Sequence, residues 1–243
     1  MSYIIDHADI VVTHKCNMHC PFCVDKYVRT DTSVVSIESI KKFLTLLKNY
    51  GVKDNLEVLL LGGEPTTIDT DNLIEIADTI KSFGFSPIMS TNGVEKHKIL
   101  DVLDHFDWIQ VTVHSDKQID YYRQNKDKMC IKLSGDQTMS YQKFMHFIEY
   151  TGAFSRRCIS MFSTSDFKEL CTDRRVWEIL NSLDWYRNGS YMYTFYRGVR
   201  LKKFIPGETN IIDEPTVPKL YPNGNYNKTW CNEEHDPYLG SLL

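Results

Sequence analysis

Three of the seven cysteines fall within eight residues, in the stretch THKCNMHCPFCVDKY from Thr13 to Tyr27. Cys16, Cys20 and Cys23 are spaced C-x3-C-x2-C. Thiolates are soft donors, and three so close on one loop suit zinc or an iron-sulfur cluster. A structural zinc ion wants a fourth ligand, which His14 or His19 can offer. A cluster held by three cysteines instead leaves one iron open to a ligand that is not protein. The other four, Cys130, Cys158, Cys171 and Cys231, are scattered. An odd total in a chain of 243 residues fits a reducing compartment better than a disulfide framework.

Two more segments carry chemistry. Gly62-Gly63-Glu64-Pro65-Thr66 directly follows the apolar run LEVLLL. Its glycines allow backbone to approach a ligand closely, and its carboxylate can accept from an ammonium group. Ser90-Thr91-Asn92-Gly93 is a polar turn whose side chains can add further contacts.

The elements that must hold these loops follow from periodicity. Residues 8–13 (ADIVVT) read as a strand, and residues 36–50 place Ile37, Ile40, Phe43, Leu44 and Leu47 on one helical face before Gly51. Strands are expected at 56–61, 85–89, 108–113, 129–133 and 158–162, with helices at 70–83, 95–103, 116–123, 141–150 and 174–183. Six strands separated by helices predict a parallel sheet with helices outside it. Ligands of such sheets collect at the carboxyl ends of the strands. The cysteines follow the first strand, Gly62-Gly63-Glu64 the second and Ser90 to Gly93 the third, so three loops should meet at one rim. Past residue 186 the texture changes. Residues 190–204 are aromatic and weakly alternating, as in a hairpin, and the remainder is rich in Pro, Gly and Asn. The expected division is a main domain over 1–185 and a small cap over 186–243.

Apolar content of 42%, charged content of 25% and a net charge of -4 describe an ordinary globular protein. Mild acidity speaks against nucleic-acid polymers as partners. No run of about 18 apolar residues is present, so a cytoplasmic protein with no membrane partner is expected.

The cysteine spacing, with Phe22 just before the last cysteine, resembles the signature of the radical S-adenosylmethionine (radical SAM) enzymes. The glycine and serine-to-asparagine segments stand in the order that family shows. The resemblance spans roughly residues 8 to 165 and implies a partial (β/α)6 TIM-like barrel with a small C-terminal extension. It implies a 4Fe-4S cluster on Cys16, Cys20 and Cys23, with S-adenosylmethionine on the open iron. Phe22 would lie near the adenine, and Gly62, Gly63 and Glu64 would hold the methionine amino group. Ser90, Asn92, Ser115 and Arg123 would make further polar contacts to the cofactor. An external one-electron donor such as flavodoxin or ferredoxin would reduce the cluster. The cleaved cofactor would then yield a 5'-deoxyadenosyl radical that takes hydrogen from a substrate carbon.

The closing segment LYPNGNYNKTWCNEEHDPYLGSLL is similar to a degenerate or truncated SPASM/twitch-type auxiliary domain. A second cluster there would have to gather Cys130, Cys158, Cys171 and Cys231; buried free thiols are the alternative. The resemblance favours modification of a peptide or small natural product. Three alternatives stay open: a nucleotide-modifying enzyme like viperin or 7-carboxy-7-deazaguanine synthase, an activating protein for a glycyl-radical enzyme, and a non-enzymatic zinc protein. The basic residues Arg197, Arg200, Lys202 and Lys203 could meet phosphates, or form the solvated face of a hairpin.

Overall fold

In a computed structural model, the structure describes residues 7–20, 23, 31–50, 52, 55–135, 139–161, 173–188, 191–204, 218–227 and 240–241. Strands and helices alternate as the periodicity predicts: β1 (His7–Thr13), α1 (Ile37–Asn49), β2 (Glu57–Gly62), α2 (Thr70–Ser82), β3 (Ser86–Thr91), α3 (Lys96–Val102), β4 (Trp108–Thr112), α4 (Asp116–Tyr122), β5 (Met129–Gly135), α5 (Tyr141–Tyr150) and β6 (Arg156–Met161). They are followed by α6 (Arg174–Asn181), β7 (Tyr186–Asn188), β8 (Tyr191–Tyr196), β9 (Val199–Phe204), β10 (Lys219–Leu220), β11 (Asn225–Asn227) and β12 (Gly240–Ser241).

Local chemistry explains the helices. Ser36 caps α1 by accepting the Ser39 N–H at 3.1 Å, with Glu38 in the first turn and Lys48 in the last, each suited to the helix dipole. Ile40, Phe43, Leu44 and Leu47 form its buried stripe. Each such side chain contributes about 1.5–3 kcal/mol through burial. Ser140 caps α5 and Asp173 caps α6 in the same way.

The chain forms two compact units, 1–109 with 215–243, and 110–214. This division runs along a different line from the compositional change near residue 186. In the first unit the strand order is β12-β11-β10-β1-β2-β3. β2 pairs in parallel with β1 and β3, and β1 also pairs in parallel with β10; β10, β11 and β12 run antiparallel. β1 is buried along nearly its whole length, as a strand covered on both faces must be.

In the second unit the order is β5-β6-β9-β8-β7. β5, β6 and β9 are parallel, while β9, β8 and β7 form an antiparallel meander. The predicted hairpin is β8 and β9, closed by Arg197 at φ 48° and Gly198 at φ 72°. Two consecutive positive φ values make the tight turn whose twist matches the flanking strands. Its side-chain alternation is explained by register: Leu201 faces a buried side, while Arg200 and Lys202 face the other.

Candidate functional site

Within the first unit, the carboxyl ends of β1, β2 and β3 come together through backbone contacts. The Gly63 N–H donates to the Thr13 carbonyl and the Glu64 N–H to the Lys15 carbonyl, both at 2.8 Å. The stretch leading into Cys16 is therefore stitched to the end of β2. A Cβ on Gly62 would lie 2.3 Å from the Thr13 oxygen, and one on Gly63 2.3 Å from the oxygens of His14 and Lys15. Gly62 also has φ of 138°, a conformation that side-chain-bearing residues rarely adopt. The sequence attributed close approach here to a ligand. The close neighbour observed is the cysteine loop itself.

Glu64 is buried, and its carboxylate organises the third loop. Oε1 accepts the Thr66 N–H at 3.1 Å, the Thr66 hydroxyl at 2.7 Å and the Thr91 hydroxyl at 2.6 Å. Oε2 accepts the Asn92 N–H at 2.6 Å. Such charge-assisted bonds are roughly twice as strong as neutral ones. With one bond on Oε2, a lone pair remains there for a further donor. The Asn92 side-chain amide then donates to Asn17 Oδ1 at 2.7 Å, between Cys16 and Cys20, and its own Oδ1 accepts the Val94 N–H. Lys98 supports the same turn, its Nζ donating to the carbonyls of Thr66 and Ile68 at 2.9 Å.

The sequence placed Thr66 and Thr91 within their motifs but assigned neither a role, and it did not single out Asn17. A Thr two residues after a strand-end Glu was the available signal, since it forms a local turn with that carboxylate. No local pattern marks Asn17, because its partner is 75 positions away.

Cys16, Cys20 and Cys23 are half-buried on this loop and in no disulfide, the Met18 N–H donates to the Cys16 sulfur at 3.4 Å, and the Cys23 N–H donates to the Cys20 carbonyl at 3.2 Å. Among the described residues no three His, Cys, Asp or Glu side chains are drawn into a closed metal cage. His19 is exposed. His14 is buried, its ring stacked on Tyr221 at 6.4 Å between centroids. Three soft, reachable sulfur donors on a loop pinned from two strands form a donor set that fits an iron-sulfur cluster.

Phe22, Cys171 and Cys231 lie outside the described residues. Ser90 is half-buried at the end of β3. Ser115 and Arg123 belong to the second unit. Ser115 is the exposed N-cap of α4, and its carbonyl accepts from Gln118 and Ile119. Arg123 is engaged at the surface: it donates to Asp120 at 2.9 Å and lies 5.1 Å from the Tyr150 ring centroid. The Asp120 hydrogen bond holds the Arg123 pKa above its ordinary value. Cys130 and Cys158 are buried on neighbouring strands. Burial, with the Cys158 sulfur nearby, pushes the Cys130 thiol up to about 12.

The family model of the radical SAM superfamily matches residues 10–174, well over half of the chain. The chain belongs to the radical SAM superfamily. It is thus an enzyme of a family that works with a 4Fe-4S cluster and S-adenosylmethionine. A Saccharolobus islandicus protein named as a GTP 3',8-cyclase is 36% identical over 85 residues, covering 35% of this chain and 26% of that protein. A Methanocaldococcus jannaschii protein named as a glycyl-radical enzyme activating enzyme is 32% identical over 94 residues, covering 39% of this chain and 34% of that one. The matches thus span about a quarter to a third of these curated relatives' lengths. The solved structure of anSMEcpe with bound AdoMet superposes with a TM-score of 0.61 at 9% identity, over 97% of this chain and 75% of that one. That likeness supports the expected fold, an open partial barrel of mixed α/β type. No helix among the described residues is long and apolar enough to cross a membrane.

Proposed function

We propose that this radical SAM enzyme reductively cleaves S-adenosylmethionine and abstracts hydrogen from a carbon of a small-molecule substrate. The observation that carries the cofactor half of this reading is the hydrogen-bonded junction of three strand-end loops, with Glu64 at its centre and the cysteines on its outermost loop. Cys16, Cys20 and Cys23 would hold the cluster. When bound, cluster and S-adenosylmethionine supply one-electron cleavage of a carbon–sulfur bond and a carbon radical strong enough to break an unactivated C–H bond.

This chain's residues provide order around that chemistry. Gly63 and Glu64 fix the backbone entering the cysteine loop, and Asn92 ties the loop at Asn17. The open lone pair on Glu64 Oε2 and the polar end of β3 suit the amino-acid portion of the cofactor. An external one-electron donor would serve as reductant. The relative named as a GTP 3',8-cyclase supports a small molecule, rather than a protein, as substrate.

The test is anaerobic reconstitution with iron and sulfide, followed by dithionite and S-adenosylmethionine. Brown protein with about four irons per chain and formation of 5'-deoxyadenosine are expected. Cys20→Ala should abolish 5'-deoxyadenosine formation, read by mass spectrometry. Retained cleavage in that variant, or colourless protein holding one tight zinc, would overturn the reading.

A further inference from the structure

Leu220 to Asn227, LYPNGNYN, is a turn-rich segment to which the contacts around Glu64 assign no task. In the first unit it forms the tight connection between β10 and β11. The Gly224 N–H donates to the Tyr221 carbonyl at 3.0 Å, and the Tyr221 N–H donates to the Asn225 carbonyl at 2.9 Å. Pro222 and Asn223 take the two central turn positions, and Gly224, at φ 77°, supplies the left-handed residue that closes a three-residue hairpin loop. The Asn223 side chain accepts the Asn225 N–H at 3.0 Å. Tyr221 is thus clamped at both its N–H and its carbonyl. Just before it, the Asp9 N–H donates to the Pro218 carbonyl at 2.8 Å and ties this segment to β1.

The Tyr221 ring, 1% exposed, lies against His14, also 1% exposed, with an interplanar angle of 24° and 6.4 Å between centroids. That is an offset stack, a favoured arrangement of aromatic rings. His14 stands between the end of β1 and Cys16, at the base of the cysteine loop. The chain leaves β1 at Thr13 and returns to it at Val34, which bridges Thr13, and at Val35, whose N–H donates to the Val12 carbonyl at 3.0 Å. His14 is therefore held on two sides: Gly63 packs against its carbonyl and Tyr221 against its ring. The next tie along the loop is Asn17, through Asn92.

A ring carried on a hydrogen-bonded turn cannot follow a neighbour that moves, so it restricts the His14 side chain and the backbone two residues before Cys16. An aliphatic residue at 221 would fill much of the same volume and impose no ring orientation. We infer that Tyr221 is a positioning residue for the cysteine loop, holding His14 so that Cys16, Cys20 and Cys23 stand where one cluster can take all three. The inference rests on the proposed role of these cysteines as cluster ligands, and it gives the C-terminal strands a part in the cofactor site.

The test uses the full, metal-free chain under reducing, anaerobic conditions, with alkylation of each cysteine by iodoacetamide followed by mass spectrometry. Tyr221→Leu and Tyr221→Met should each raise the alkylation rates of Cys16 and Cys20 by about fivefold or more, and Tyr221→Phe, which keeps the ring, should stay at the parental rates. Buried Cys130, in the second unit, is the internal control and should not change. A rise at Cys130 as well would mark general unfolding, and His14→Leu, which leaves β10 intact, then decides. That variant should raise the Cys16 and Cys20 rates by a similar factor, and combining it with Tyr221→Leu should add little. Leu47→Ala, a core deletion on α1, lowers stability without removing the stack and should leave the loop rates unchanged. Parental rates in Tyr221→Leu and His14→Leu, or an equal rise in Leu47→Ala, overturn the inference. Raised rates in the variants of a chain that forms no 5'-deoxyadenosine leave the positioning role standing and remove the radical reading. 5'-Deoxyadenosine formation by the parent with unchanged rates in the variants does the reverse.

Discussion

At Gly63 a single methyl group would sit against two carbonyl oxygens of the segment leading into the cysteines. Both are main-chain atoms, so no side-chain rotation can relieve the overlap. Gly63→Ala should therefore cost about 1–3 kcal/mol and, more tellingly, displace the loop. The expected outcome is a lower urea midpoint together with iron incorporation below that of the parent chain. Cys130 behaves differently. Its thiol is pushed from 9.0 up to about 12, chiefly by burial, so the folded chain resists its ionisation. Because the folded value is the raised one, this contribution to stability is complete below about pH 9 and is lost as pH climbs toward 12. Cys130→Ala should show a shallower fall in unfolding free energy across that window than the parent, measured by urea denaturation at successive pH values. Residue identity made the cysteines and Gly62-Gly63-Glu64 legible in the sequence. It did not reveal that Glu64 binds Thr91 and Asn92, because that partnership exists only once β2 and β3 lie side by side.

Among the elements, β10 shows most plainly what periodicity cannot supply. It is two residues long, Lys219–Leu220, too short to show any alternation, yet it pairs in parallel with β1 and carries Tyr221 to the His14 ring. Its register places Lys219 opposite Asp9, with Nζ 3.7 Å from Oδ2 and both side chains buried. Neither Asp9 oxygen receives a hydrogen bond among the described residues, so Lys219 is its main compensation, with His7 further off at 3.9 Å. Removing one partner of a buried pair leaves a charge without compensation, which typically costs 3–5 kcal/mol, whereas removing both can be nearly neutral. Lys219→Met should thus destabilise the chain by about 3 kcal/mol or more, and Asp9→Leu with Lys219→Met by much less. Denaturant melts of the three variants and the parent complete the cycle, and additive losses would contradict a coupled pair. By contrast, the long elements were legible: α1, α2 and α5 have capping signals or buried stripes that act within a few residues, and β2 contains the apolar run Val58 to Leu61.

For the molecule as a whole, the sequence conveyed an α/β chain with its candidate site loops after three successive strands, but not how the chain is apportioned between units. Composition changes near residue 186 because the β8–β9 hairpin is aromatic, yet that hairpin continues the sheet of the second unit beside β6. The first unit is instead discontinuous, closed by residues 215–243 against the strand that leads into the cysteines. This arrangement has a consequence that a linear reading would reverse. Ending the chain after residue 214 removes β10, β11 and β12, exposes the edge of β1 and strips Tyr221 from His14. The damage should fall on the distant N-terminal segment and not on the adjacent 110–214 unit. Hydrogen exchange with mass spectrometry should show faster amide exchange in 8–13 and 57–62 of the shortened chain, with 129–135 and 156–161 little changed. An exposed parallel edge should also promote self-association, visible by size-exclusion chromatography. If exchange instead rises evenly across both units, they unfold as one cooperative block. If it rises only in 186–204, the C-terminal strands serve the hairpin rather than the cysteine loop.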